Sequence, residues 1–458
     1  MNVSKWVALL LLLLASCSDD DGVLPANTGG QGPASATGGS TSTPTTSGSV
    51  GGAAGGGGTG SGGESGSVGM AGSGGGGSAG ADGSDSGSAD ASADAGRICD
   101  RGGGTDWGKA VVDSTMKRFS DPSSMGGWGY QPALFLHGAY LVYRRTHDAR
   151  YLSYIKRWID AHVDANGGID DTLSWLDDIM PGNVVLDVYQ ETKDDKYKAA
   201  ADRLRKRFDT FPRTSDGGFW HNTGYAGQTW GDGVFMSCPF LARYGQIFGD
   251  AAYTNDETSK QLVVYHDHLK HPTNGTHYHA WDEQGDASWT TPAILHSAES
   301  WCRAVGWYGM GAIEVLEVLP ANHPSRAPIV TILQGLVEGF KKNQDPATGR
   351  WFQVIDKGSD PGNWLETSCS AMLSYTIARA IQRGYVAATY ADVAAKAYQG
   401  IMQKVSLGSD GLTNITDISI GTSVGNLAYY FGRPRATNDF HGLGAFLIML
   451  EQFAASCP

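Results

Sequence analysis

The chain has 458 residues, 65 of them glycine, and a formal charge of −13 at neutral pH. Residues 1–96 set eight acids against Lys5 and account for −7 of that charge, leaving a mild −6 on the rest. No basic face large enough to neutralise a phosphate backbone is present, which argues against a nucleic-acid partner, although one well-placed arginine would suffice for an acidic sugar.

Lys5 precedes an apolar run from Trp6 to Ala15, dominated by Leu9–Leu14. Such a run is too short to span a bilayer and reads as an export signal. It ends in Leu14-Ala-Ser-Cys17, which resembles a bacterial lipoprotein box, in which the cysteine is acylated and becomes the new N-terminus. The alternative is an ordinary cleavage site with an incidental cysteine. Residues 18–96 are mostly Gly, Ser, Ala, Thr and Asp; almost nothing there offsets the entropy of ordering, so a flexible tether is expected.

From about Arg97 to Pro458 the composition is that of one large globular domain. Helical periodicity dominates, as in residues 133–143. A weak repeat is visible: Tyr143-x-x-Thr146-x-Asp148-x-x-Tyr151 recurs as Tyr189-x-x-Thr192-x-Asp194-x-x-Tyr197, more loosely as Phe248-Gly-Asp250-x-x-Tyr253. Each copy suits the turn of a helical hairpin, with the aspartate as N-cap of the second helix. Room for about six hairpins favours a closed all-α toroid, an (α/α)6 barrel, over an open solenoid.

A closed ring brings its first and last helices together, so a Cys99–Cys457 bridge is geometrically reasonable. Cys238, Cys302 and Cys369 are expected to be buried thiols.

Thirteen tryptophans are many for such a domain. Trp128, Trp220, Trp230, Trp281, Trp301, Trp307, Trp351 and Trp364 lie in polar or glycine-broken contexts, and aromatic faces suit the C–H faces of pyranose rings. Asp232 lies between Trp230 and Phe235. Asp177 and Asp178 form a pair that could equally cap a helix, and Asp282 and Asp439 compete with them; periodicity does not rank the four positions. His277-x-His279 lacks the further ligands of a metal site, so His279 reads as a hydrogen-bonding wall. Arg303, between Trp301 and Trp307, offers a planar fork for a uronic-acid carboxylate or sugar hydroxyls; the plainer reading is an arginine stacked on a tryptophan and paired internally.

Seven motifs in order complete the pattern: Leu176-Asp-Asp-Ile179, Gly217-Gly-Phe-Trp-His221, Gln228-Thr-Trp-Gly-Asp-Gly-Val-Phe-Met236, Tyr278-His-Ala-Trp-Asp282, Trp301-Cys-Arg-Ala-Val-Gly-Trp307, Asn363-Trp-Leu-Glu-Thr-Ser368 and Thr437-Asn-Asp-Phe-His-Gly-Leu-Gly444. Over about residues 105–453 the chain resembles glycoside hydrolase family 105, the unsaturated rhamnogalacturonyl hydrolases, which share fold and chemistry with the unsaturated glucuronyl hydrolases of family 88. The resemblance implies an (α/α)6 barrel with Asp232 as catalytic acid/base and Asp177 as second acid, one residue away from the competing Asp178. Trp230, His279, Arg303 and Trp307 fall on substrate-contacting positions, and Trp128, Tyr130 and Trp301 are grouped with them. Gly231 departs from the larger apolar residue usual there.

The implied reaction is hydration of a lyase-generated C4=C5 vinyl ether: C4 is protonated, water adds at C5, and the hemiketal opens to release the aglycone, with rhamnose expected. One carboxyl group can donate to carbon and then accept from water, provided the Asp232 pKa is raised by burial or by Asp177. An activity on unsaturated glucuronides and a non-catalytic glycan-binding lipoprotein are the alternatives. No cofactor or metal is expected. The expected partners are an unsaturated oligosaccharide and a membrane reached through Cys17. A monomer in the cell envelope, on the outer membrane, is the expected setting.

Overall fold

The computed structural model describes residues 104–291 and 293–455. The export signal, Cys17, the tether, Cys99 and Cys457 lie outside the described residues.

Six helices form an inner ring: α2 (Tyr130–Thr146), α4 (Gly182–Thr192), α6 (Asp232–Phe248), α8 (Cys302–Val318), α10 (Thr367–Gln382) and α13 (Phe440–Ala455). Each packs on the next, and α13 closes the circle on α2. The partners outside them are α3 (Ala149–His162), α5 (Asp195–Arg207), α7 (Ala251–Leu269), α9 (Arg326–Asn343) and α11 (Ala391–Met402). The sixth, α1 (Trp107–Arg118), comes from the start of the domain and packs on α13. This is the (α/α)6 barrel expected from the hairpin repeat.

The two layers follow from side-chain patterning. In α4 the consecutive residues Val184, Val185, Leu186, Asp187 and Val188 are all buried, because an inner helix has no solvent face. Outer α5 buries only Tyr197, Ala200, Ala201 and Leu204, a single stripe at helical spacing. The buried Asp187 ties three inner helices together, accepting from His137 Nδ1 of α2 at 2.7 Å and from Arg243 of α6 at 2.5 Å. Burial alone would push its carboxyl up, but Arg243 and His137 outweigh that and hold it below the ordinary range.

The repeat marks the hairpin turns. Helix α2 ends at Thr146, His147 takes a left-handed conformation (φ 56°), and Asp148 accepts from Arg150 N at 3.1 Å as N-cap of α3. Lys193 (φ 57°) and Asp194, which accepts from Lys196 N at 3.0 Å, do the same between α4 and α5. The third copy departs from expectation: Asp250 makes no cap hydrogen bond and instead accepts from Arg205 Nε at 2.6 Å.

The cysteines correct another expectation. Cys302 and Cys369 are not separate thiols but a disulfide joining the first turns of α8 and α10, with Cα atoms 5.7 Å apart. Cys238 is a buried thiol, as expected, and burial pushes it up to about 12.

All inner helices run in the same direction. At one end Leu176, just before α4, touches Gly233 of α6, Phe235 of α6 stacks on Trp307 of α8, and Tyr130 of α2 meets His441 of α13. At the other end Tyr140 of α2 donates to Glu191 of α4, and Arg145 of α2 pairs with Glu451 of α13. Short antiparallel pairs shape the first end. Strand β1 (Gln228–Trp230) pairs with β2 (Ala280–Asp282) and runs straight into α6; β3 (Trp351–Phe352) pairs with β4 (Leu365–Glu366), which leads into α10. Strands β5 (Val405–Leu407) and β6 (Thr413–Ile415) pair with each other, as do β7 (Ile418–Ser419) and β8 (Arg435–Ala436). The five-residue α12 (Leu427–Phe431) lies between β7 and β8 in the chain.

Candidate active site

The N-terminal ends of the inner helices converge on one mouth. Helices α2, α4, α6 and α8 begin there without a side-chain N-cap; the first N–H groups of α4 are taken by carbonyls of the turn before it and that of Cys302 by the Gln353 carbonyl, but the positive dipole ends of all four face the mouth and favour an anion there. Asp232 is the first residue of α6. It is buried, and its Oδ2 lies 3.3 Å from His279 Nε2. Neither atom has a well-aligned hydrogen-bond partner among the described residues. Backbone pairing sets this approach: Gly231 N donates to the His279 carbonyl at 2.8 Å, continuing the β1–β2 ladder.

Asp177 comes from the 3-10 turn Leu176–Asp178 ahead of α4. That turn is held against the site by Leu176 N, which donates to the His221 carbonyl at 3.0 Å, and by Leu176 packing on Gly233. The two neighbouring acids turn in different directions. Asp178 turns back to accept from Trp175 N at 2.8 Å, closing the turn, while Asp177 Oδ1 sits 3.8 Å from His221 Nε2 and feels the charge of Asp232.

The two carboxyls differ in proton affinity. Burial, and then the charges of Asp232 and Asp178, push Asp177 well above the ordinary carboxylate range. Burial also pushes Asp232 upward, but the His279 contact first, with the Arg303 charge among the groups that assist it, prevails, so it lies below its ordinary value. The pair thus holds its proton on Asp177 and its charge on Asp232, the reverse of the raised Asp232 expected from sequence. Burial lowers His221 to about 4, so this ring is neutral. It stacks on Trp230 at 4.3 Å between centroids.

Glycosyl Hydrolase Family 88 matches by its profile over residues 107–455. A solved glycoside hydrolase from family 105 of C. acetobutylicum is 32% identical, with a TM-score of 0.74, covering 77% of this chain and all of that one. The chain belongs to the family 88/105 glycoside hydrolases. A possible family 105 member from Klebsiella pneumoniae shares the fold, with a TM-score of 0.66 at 23% identity over 78% of this chain and 96% of that one. Protein Atu3128 of Agrobacterium fabrum is 29% identical over 46% of this chain and 96% of its own length. The unsaturated rhamnogalacturonyl hydrolase YesR of Bacillus subtilis is 27% identical over 57% of this chain and 73% of its own.

The remaining site residues of the glycoside hydrolase fall into a lining and a support. Tyr130 begins α2 amid the charges of Arg303, Asp177, Asp232 and Asp439. Trp230 spans from His221 to Tyr225, with its ring 5.7 Å from the latter, which is exposed. Trp128 lies behind the acid turn and donates its indole N–H to the Asp178 carbonyl at 2.8 Å. Trp301 and Trp307 are closed in, the first against His279, the second against Phe235 and Tyr130. Gly231 has ordinary helical backbone angles, and a Cβ there would touch Ala304 at 3.4 Å and the His279 carbonyl at 3.5 Å.

Arg303 departs from the free fork of the sequence reading. Its guanidinium donates to the carbonyls of Ser419 at 2.6 Å and Ile420 at 2.7 Å and lies over Trp301, leaving Nε without a partner. It pairs internally with carbonyls rather than carboxylates, so its charge still acts on Asp232 and Asp439. Asp439 is occupied by His441, whose Nδ1 lies 2.5 Å away. Asp282 is a loop cap that accepts from the backbone N–H groups of Gln284, Asp286 and Ala287. His277 turns away from His279 to meet His266 at 2.8 Å.

Sequence reasoning missed Tyr430, whose hydroxyl lies 2.7 Å from His279 Nδ1. It stands 151 residues from His279, in a short helix with no motif spacing, so no sequence signal marks it.

Proposed function

We propose that this glycoside hydrolase removes the terminal 4,5-unsaturated galacturonic acid from lyase-generated rhamnogalacturonan fragments by hydrating the C4=C5 vinyl ether. The observation that carries the reading is a buried acid pair holding one proton and one charge where uncapped helix N-termini converge. Similarity to YesR supports the choice of sugar.

The uronate carboxylate docks toward the helix ends and the Arg303 charge, with the ring against Trp230 and Tyr130. Docking excludes water and adds a like charge beside Asp232, which raises its proton affinity. The proton held by the pair then serves Asp232 as acid. Asp232 delivers it to C4; the π electrons form the C4–H bond and leave an oxocarbenium charge shared by C5 and the ring oxygen. Water adds at C5 and returns its proton to the Asp232 carboxylate, so the residue ends as it began the step. The resulting hemiketal opens at its C5–ring-oxygen bond to a C5 ketone, leaving at C1 a hemiacetal that collapses to the aldehyde as the C1–O bond breaks and the aglycone leaves carrying the hydroxyl proton. Asp177 is the proton reservoir and His279 the orienting contact. The Cys302–Cys369 disulfide accords with an oxidising compartment, and residues 1–17 support export with Cys17 as the lipid-bearing residue.

Asp232→Asn is expected to lower kcat at least about 100-fold, followed by the loss of ultraviolet absorbance from unsaturated galacturonyl-rhamnose. Wild-type turnover by this variant would overturn the reading. One competing substrate class is the unsaturated glucuronides implied by the resemblance to the family 88 enzymes. Parallel assays on pectin-derived and glycosaminoglycan-derived disaccharides decide between them by kcat/KM.

A further inference from the structure

Tyr430 is fully buried in a small cluster with Trp301, Ala304 and Val354. Its oxygen has two neighbours: Gly425 N, which donates to it at 3.1 Å, and His279 Nδ1 at 2.7 Å. Burial drives the phenol far above its ordinary pKa, so the hydroxyl keeps its hydrogen throughout the working range. The Gly425 amide offers only a donor, and the hydrogen has one acceptor within reach, the Nδ1 lone pair. With Nδ1 occupied in this way, the ring proton resides on Nε2, the atom 3.3 Å from Asp232 Oδ2.

The geometry points to Tyr430 as a positioning residue that fixes the His279 ring, so that Nε2–H is turned toward the Asp232 carboxylate. This rests on the reading of Asp232 as acid/base given above. The arrangement orients the carboxylate that takes up the catalytic proton when substrate arrives. The opposite tautomer would set a lone pair against the carboxylate. Without the hydroxyl the ring is free to take a second proton on Nδ1, and an imidazolium would hold Asp232 in its charged form. The groups facing His279 are Asp232 on α6, His221 from the loop before β1, Arg303 on α8, Glu299, whose carbonyl accepts from His279 N, and Tyr430 itself. Of these, Tyr430 is the one whose hydroxyl reaches Nδ1.

The test uses the whole enzyme and the unsaturated galacturonyl-rhamnose absorbance assay, with Tyr430→Phe, which keeps the ring in its cluster. Expected are a fall in kcat of about 10-fold or more, KM within about 3-fold, and an acid limb of the kcat–pH profile moved to higher pH. His279→Gln provides the second arm. A glutamine can present N–H to Asp232 without a tautomer to fix, so adding Tyr430→Phe to it should change kcat less than about 2-fold, with no shift of the limb. An unmoved limb in Tyr430→Phe, or an equal loss in both backgrounds, would overturn the role of Tyr430 and reduce it to packing. A wild-type-like Asp232→Asn would instead sink the acid/base reading beneath it. An inactive Asp232→Asn beside an unaltered Tyr430→Phe would sink this inference alone.

Discussion

Asp177 stores its proton at a cost to folding. Its pKa lies far above the ordinary 3.8, through burial and then the charges of Asp232 and Asp178. A carboxyl raised in the folded state contributes its full stability below the unfolded pKa, and that contribution is lost as pH climbs toward the folded value. At neutral pH the native enzyme therefore carries a burden that asparagine would relieve. Asp177→Asn is expected to lose activity at least about 100-fold while raising Tm by about 2–4 °C at pH 8. Calorimetry should show the gain closing toward pH 4; a variant less stable than wild type at both pH values would refute the assignment. That Asp232 and Asp177 belong to one cluster could be read from motif order, but the difference in their proton affinities could not. Proton affinity here depends on His279, His221 and Arg303, which converge only after the ring has closed.

At the scale of elements, the hairpin turns were the most readable part of the chain, because a cap is a local interaction in which Asp148 and Asp194 each reach a backbone N–H two residues on. Alanine at Asp194 or Asp148 should cost about 1 kcal/mol each in urea unfolding. Asp250→Ala should cost less than about 0.5 kcal/mol, since that carboxylate makes a partly exposed ion pair with Arg205 and caps nothing. The disulfide was unreadable for the complementary reason. Cys302 and Cys369 are 67 residues apart, and their meeting depends on α8 and α10 being neighbours in the inner ring, which no local pattern declares. The sequence left two readings of Arg303 open for the same reason, because its partners are backbone carbonyls of Ser419 and Ile420, and a carbonyl has no sequence signature.

The whole molecule depends on one seam, where the last helix returns to the first. At Gly444 of α13 an added Cβ would stand 2.4 Å from the backbone of Leu134 in α2, and at Gly138 of α2 it would meet Leu447 at 2.7 Å. Gly444→Ala is therefore expected to cost about 3 kcal/mol in urea unfolding. Gly335→Ala, in outer α9 with open space around it, should instead gain up to about 1 kcal/mol. Equal losses at both positions would refute the close seam. Away from the acids, beyond the far end of that seam, Arg145 joins Asp106 to Glu451 beside a cavity of about 380 Å³. Gly104 and Ala454 both line that cavity, so the first and last stretches of the described residues come together on the face of the barrel opposite the paired acids, and the ring is fastened there by charge.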